Sequence, residues 1–425
     1  MDLGSSLQEL NKRSSEIERA AEHWLVRFAS RYGLAVVVLL AAPAVIYFGW
    51  LVSPAGYQPL TFAARPDDAA LRSELGPPRV VKTPEFVKGL YVTSDTVGSA
   101  KRFGHLVDLA RRTEINALVI DVKDHRGQIA FATDDRRLAP FQQSNPSLGR
   151  LAEFTSGLRQ QGLYLIARVP VFPDQALAQK RSDLALKRGD GSLWRDSLGL
   201  LWLDPASNDV WKYNVAVGEA AFAGGFDEVQ FDYIRFPSDG SLGSIRYPVY
   251  DGKLAKAKVI ANLFAYFDKE LRQKRGIPIS ADLFGLTMWQ HESDLGIGQR
   301  LMDAAPRLDF VSPMVYPSHY PPGFEGFANP ALYPYEVVYR NLVRGNELLE
   351  TMNRNNAVLA EADPPVPVPR LATLRPWIQD FDMGAVYDVA RVRAQMRAAA
   401  DGGASGWLIW NAANNYTESA LEQDQ

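Results

Sequence analysis

The sequence predicts an α/β protein built on a (β/α)8 TIM barrel, preceded by a single N-terminal transmembrane helix and a linker. Three observations carry this expectation. Strand and helix signals alternate about eight times over residues 84–420, the rhythm of a parallel barrel. Polar and charged side chains recur where the predicted strands stop, which is where such barrels keep their chemistry. An apolar run without a single charge, Gly33 to Val52, is long enough to cross a bilayer. An open doubly wound sheet is the other way to arrange the alternation, but the glycine pattern it usually carries for nucleotides is missing.

Composition limits the function classes. A chain of 425 residues, 47% hydrophobic and 22% charged, is long enough to bury one large barrel and is not a disordered protein. A net charge of -3 and a pI near 6.0 provide no basic face, so nucleic acid is excluded as a partner. The absence of cysteine removes disulfides, thiolate metal sites and a cysteine nucleophile together. It fits a bacterial cell envelope without identifying a compartment.

Residues 1–32 form a polar segment with Leu7, Leu10, Ile17, Ala21, Leu25 and Phe28 near helical spacing, expected on the cytoplasmic side. Residues 33–52 are the expected membrane anchor. Tyr47 and Trp50 lie near its far end at the level of an interfacial aromatic belt, and Lys12, Arg13, Arg19, Arg27 and Arg31 precede it. The positive-inside rule then puts everything after Val52 in the periplasm or outside the cell. A cleaved signal peptide is the rival reading, with Ala42, Ala44 and Ala55 as small residues for a cleavage site. Residues 53–83, rich in proline and alanine, read as a linker, and the barrel occupies 84–420.

Within the barrel the predicted strands are Gly89–Ser94, the start of Ala117–Gly127, Tyr164–Phe172, the first half of Phe226–Gly240, Ile279–Gly285, Asp309–Tyr320, Arg370–Phe381 and Gly406–Ala412. Helices are expected at Ser99–Arg112, Ser207–Ala223, Leu254–Lys274, Tyr335–Thr351 and Ala385–Ala400. The fourth strand is the centre of the pattern. Val229, Phe231 and Tyr233 alternate with Glu228, Gln230 and Asp232, so one face is apolar and the other ends in a carboxylate.

Because all strands of a barrel direct their carboxyl ends to one mouth, Asp121, Lys123, Arg168, Asp232, Asp282, Tyr316, Gln379 and Asn411 are expected to converge there. Asp121 and Lys123 are two apart and should share a face. The plainer reading is that Asp121 with Lys123, and Asp232 with Arg235, are ion pairs that hold loops in place.

The motifs VIDVKDHRG, SLWRDSLGLLWLDPAS, GFDEVQFDYIRFPSDG, SADLFG, GIGQ, VSPMVYPSHY, ALYPYEVVY, RPWIQDF and GASGWLIWNAANNY resemble, in order and from about Val87 to Tyr416, the glycoside hydrolase domain family of bacterial envelope proteins, once classed only as a domain of unknown function. The resemblance implies a TIM-barrel fold and a glycosidase-like activity. Glycoside hydrolysis needs one carboxylic acid to protonate the leaving oxygen and one carboxylate to attack or to activate water. Asp232 and Asp282, at the ends of adjacent strands, are the best pair. Asp232 is expected to be the nucleophile or base, kept ionised by Arg235 and Lys123, and Asp282 the acid, its pKa raised by a dry setting near Phe284 and Leu286. Asp121 can replace either one.

Aromatic side chains fit a polysaccharide or oligosaccharide ligand, since flat rings stack on the apolar faces of pyranoses. Trp194, Trp202, Trp289, Tyr316, Tyr320, Trp377 and Trp410 are expected around the mouth, and Trp211 and Trp407 in the core. His319 is a candidate for a sugar hydroxyl; too few ligands gather around it for a metal, and no cofactor is expected. The substrate-binding candidates are thus Lys123, Arg168, Arg235, Trp289, Tyr316, His319, Gln379, Trp410 and Asn411. Two functions of different class fit these residues: a membrane-anchored glycoside hydrolase acting on an envelope or extracellular polysaccharide, and a barrel that binds glycan or a partner protein without turnover.

Overall fold

The computed structural model describes residues 82–361 and 368–423. The segment expected to be cytoplasmic, the anchor expected at 33–52 and nearly all of the expected linker lie outside the described residues. Among the described residues no helix is long and apolar enough to cross a membrane.

The strands are β1 (Val87–Val92), β2 (Ala117–Asp121), β3 (Tyr164–Pro170), β4 (Glu228–Asp232), β5 (Ile279–Phe284), β6 (Phe310–Met314), β7 (Thr373–Leu374), β8 (Trp377–Gln379) and β9 (Gly406–Trp410). All pair in parallel, β5 pairs with β6 and β1 with β9, and the sheet closes into a barrel of eight staves, one of which is shared by β7 and β8. Each of the long staves is buried on both faces, which is why β2 reads ALVID with no exposed position.

Helices α1 (Ala100–Arg112), α2 (Leu151–Arg159), α3 (Asn208–Ala223), α4 (Lys256–Phe267), α5 (Pro334–Ala360) and α6 (Val389–Asp401) form most of the outer layer. The sequence carries their starts as side-chain caps: Ser99, Ser207 and Asp388 accept bonds from the backbone N–H groups of Arg102, Val210 and Arg391. The expected helix Leu254–Lys274 is α4 followed by a π-helical turn, Asp268–Gln273. The crossing from β5 to β6 holds a short 3-10 helix at Gly285–Met288 and the four-residue helix Leu301–Ala304. Residues Tyr320–Pro330 belong to a second compact unit, with a short 3-10 turn at Phe324–Gly326 and the Tyr320 ring 4.5 Å from that of Phe324.

The strand expected as one piece over Arg370–Phe381 is broken into β7 and β8. Pro376 lies at the break and has no N–H to donate, and Arg375 beside it is fully buried. Its guanidinium donates to both carboxylate oxygens of Glu228, 3.1 Å for the longer bond. Tyr164 and Ser280 donate to the same carboxylate. Above this layer Gln230 donates to Ser312 at 3.0 Å. The polar face of β4 therefore points into the barrel, while Phe231 on its apolar face stacks on Phe267 of α4 at 4.1 Å.

Breaking one side of such a buried pair leaves an uncompensated charge. Arg375→Met is expected to cost about 3–5 kcal/mol in denaturant unfolding, and adding Glu228→Gln to it should recover a large part of that loss. A double variant no more stable than the single one would show that the loss does not come from an uncompensated Glu228 charge.

Candidate active site

The next polar layer up, at the carboxyl ends of β2 to β5, brings the predicted acids together. In the parallel register Asp121 lies opposite Arg168, and Asp232 follows two positions after Gln230 on the inward face of β4. Arg168 donates from one terminal nitrogen to Asp121 Oδ1 at 2.6 Å, and from Nε at 3.1 Å and its other terminal nitrogen to Asp232 Oδ2. The second oxygen of Asp121 accepts from the Tyr91 hydroxyl at 2.6 Å. The guanidinium also lies 5.2 Å from the ring centre of Tyr91 and 5.1 Å from that of Trp410, two rings stacked at 4.1 Å. Asp232 Oδ1 accepts from the backbone N–H of Tyr233 at 2.5 Å. Tyr233 has φ of 53°, a left-handed conformation that costs a residue with a side chain about 1–3 kcal/mol and turns the chain sharply just after the acid.

Asp282 has another environment. It is 1% exposed; Oδ1 accepts from Trp377 Nε1 at 2.8 Å, and Oδ2 has no partner among the described residues. Burial first, then the charge of Asp232, holds its carboxyl well above the ordinary range, with Arg168 pulling the other way. Asp121 is raised too, by burial, against the pull of Arg168. The end of β5 is fixed by Gln299, which donates to the Asp282 carbonyl at 3.3 Å and accepts from Phe284 N–H at 2.9 Å.

Several predicted site residues are located elsewhere or are engaged otherwise. Lys123 does not join Asp121: the chain leaves the strand after Asp121, and the fully buried ammonium bonds Asp174 at 3.0 Å and Asn214 of α3 at 2.9 Å. Burial lowers its pKa and Asp174 opposes this. Arg235 makes no ion pair with Asp232, whose partner is Arg168. Gln379 accepts from Ser318 Oγ at 2.8 Å and donates to the Phe381 carbonyl at 2.8 Å, tying β8 to the loop after β6. Asn411 is likewise engaged with backbone, donating to the Asp380 carbonyl and accepting from Ala413 N–H at 2.9 Å.

Tyr316 does belong to the site. It is buried, and its phenol is pushed up by burial and then by the charges of Asp282 and Asp232. Its ring lies 5.3 Å from that of exposed His319, whose Nδ1 is 3.1 Å from Ser318 Oγ. Half-buried Trp289 donates to Asn341 of α5 at 2.7 Å, and Trp410 is half-buried above Tyr91. Trp194, Trp202 and Trp377 are too buried to be stacking platforms; the first two pack under the mouth loops and the third bonds Asp282. Trp211 and Trp407 are buried, as expected. Among the described residues no group of three or more His, Cys, Asp or Glu could hold a metal ion. Tyr91, Gln299 and the role of Trp377 were missed, although Tyr91 has the inward parity of its strand, a signal that was available.

The arrangement can supply a protonated carboxylic acid and a paired carboxylate at one mouth, under a rim of aromatic rings. A search of curated proteins finds no match. Among solved structures, the chain is similar to the glycoside hydrolase domain of PgaB (BpsB) from Bordetella bronchiseptica, at 15% identity and a TM-score of 0.54, over 77% of this chain and 95% of that one. Identity that low shows the shared barrel fold. It also aligns with a hypothetical protein from Ruminiclostridium thermocellum ATCC 27405 at 36% identity and a TM-score of 0.41, over 45% of this chain and 96% of that one. A family model described as "Putative glycosyl hydrolase domain" matches residues 89–416. With that match spanning most of its length, the chain belongs to this family of glycosyl hydrolase domains.

Proposed function

We propose that the barrel hydrolyses O-glycosidic bonds of an envelope or extracellular polysaccharide, with Asp282 as the general acid and Asp232 as the nucleophile or water-activating base. The observation that carries this reading is the difference between the two carboxyls. Asp282 is buried, raised in pKa and left with one oxygen unpartnered, so its neutral form has a proton to give to the leaving oxygen. Asp232 is paired with Arg168, and among the described residues its Oδ1 is held only by the adjacent backbone. Asp121 has both oxygens engaged, by Tyr91 and Arg168, and serves as a positioning residue that aims the arginine. Trp410 and Tyr316 offer ring surface to the sugar.

Asp282→Asn keeps volume and loses the proton. Turnover on a panel of envelope polysaccharides is expected to fall about 10²- to 10⁴-fold with folding intact. Asp232→Asn should lose turnover similarly and also lower the thermal midpoint, because Arg168 loses a partner. Wild-type-like turnover in both variants would eliminate the assignment and leave a glycan-binding barrel.

The raised pKa of Asp282 also has a stability consequence. The folded barrel keeps a proton that the unfolded chain releases, so wild-type stability falls as pH rises from the ordinary carboxylate value through the raised one. Asp282→Asn carries no such loss. Its thermal midpoint relative to wild type should therefore be higher at pH 8 than at pH 4, and a pH-independent difference would contradict the raised value.

The substrate's location follows from the anchor at Gly33–Val52, which we propose holds the barrel outside the cytoplasm. A reporter fused after Gln425 should be active there, and the chain should stay with membranes through a high-salt wash. Recovery of a soluble chain starting near Ala55 would mean a cleaved signal peptide instead.

A further inference from the structure

Arg235 follows Asp232 by three residues, past the sharp turn at Tyr233, and lies between the ends of β4 and β5. Its guanidinium carbon is 5.0 Å from the ring centre of Trp202, 5.4 Å from Tyr233 and 5.2 Å from Phe284, two residues beyond Asp282. The residue is 7% exposed. One terminal nitrogen donates to the Phe236 carbonyl at 3.1 Å, and among the described residues the guanidinium has no carboxylate partner. The other deeply buried arginines differ in this respect: Arg168 holds Asp121 and Asp232, and Arg375 holds Glu228.

The acids whose charge reaches Arg235 are all engaged elsewhere. Asp232 is held by Arg168 and Tyr233 N–H. Asp196 accepts from Trp202 Nε1 at 2.8 Å and from the backbone of Leu198 and Leu200 at 2.9 and 2.8 Å. Asp239 accepts from Ser197 N–H at 2.9 Å. Ring faces stabilise the flat surface of a guanidinium, but its in-plane N–H donors still need acceptors. A carboxylate is the acceptor whose geometry matches that planar fork.

We propose that Arg235 binds the carboxylate of an acidic sugar, so that the glycan taken at this mouth carries a uronate in the subsite beside Asp232 and Asp282. The proposal rests on the glycosidase reading of the same mouth and adds the substrate's charge to it. Arg168 is already taken up by two aspartates, so Arg235 is the cation of the mouth left to meet the incoming carboxylate.

The test uses the full chain in detergent micelles, with alginate, hyaluronan and glucuronoxylan oligosaccharides as probes, each beside its carboxyl-reduced counterpart. Binding is measured by calorimetry on Asp282→Asn, and turnover on the unsubstituted chain. At least one acidic oligosaccharide should bind about tenfold or more tightly than its reduced form, as expected for a hydrogen-bonded charge pair. Added to Asp282→Asn, Arg235→Met should abolish that preference without changing affinity for the reduced form, and Arg235→Lys, which keeps the charge and loses the fork, should retain only part of it. Equal affinity for acidic and reduced forms, failure of every acidic probe to bind, or an equal loss for both forms on substitution overturns the proposal, and the first two need no variant at Arg235. A uronate preference without cleavage by the unsubstituted chain would sink the hydrolase reading and leave the Arg235 site standing. Cleavage with no such preference would do the reverse.

Discussion

One guanidinium organises the mouth of this barrel. Arg168 sits on β3 between the strands that carry Asp121 and Asp232, bonds both, and packs against the stacked rings of Tyr91 and Trp410. Burying an arginine is costly unless its donors are paired, and here the pairing is also what aligns the neighbouring strands' acids. The stacked rings pack against the group on one side, while its donors are taken up by the two carboxylates. β1, β2, β3, β4 and β9 all contribute to one contact set.

That constraint separates the two acids proposed for catalysis. Asp232 receives the arginine, from Nε and a terminal nitrogen, on one carboxylate oxygen. Asp282, on the next strand, receives an indole N–H and no cation, and is more deeply buried. Desolvation and the neighbouring negative charge both favour its neutral form. Two identical residue types on adjacent strands thus acquire different surroundings, one against a guanidinium and one against an indole in a dry setting. The strained Tyr233 then turns the chain so that Arg235 lies beside them.

Below the mouth the barrel is unusually polar for a packed core. Glu228 with Arg375, and Gln230 with Ser312, fill layers that most barrels fill with branched apolar residues. Outside the staves, Lys123 and Asp174 form another buried pair against α3. These pairs cost desolvation and restore little net stability, but each specifies a register between strands or between strand and helix, because a slipped neighbour would leave a buried charge alone.

Sequence alone determined the alternation, the strand order along the chain and many element starts, because these depend on local periodicity and on caps such as Ser99 and Ser207, whereas the helix expected from Ala385 starts only at Val389, after its Asp388 cap. It also located Asp121, Arg168, Asp232 and Asp282 at strand ends, since inward parity and strand termination are both local properties. What it could not supply was partnership. Lys123 and Arg235 were assigned to the acids because they are near in sequence, whereas Arg168, on a neighbouring strand, is near in space. Trp194, Trp202 and Trp377 look like sugar platforms by position, yet only packing decides whether a ring faces solvent or a buried carboxylate. The proton preference of Asp282 belongs to the same class: it arises from the depth of burial and from the charge of Asp232 on the neighbouring strand, against the pull of the Trp377 indole ninety-five residues away along the chain, and so exists only once the barrel has closed.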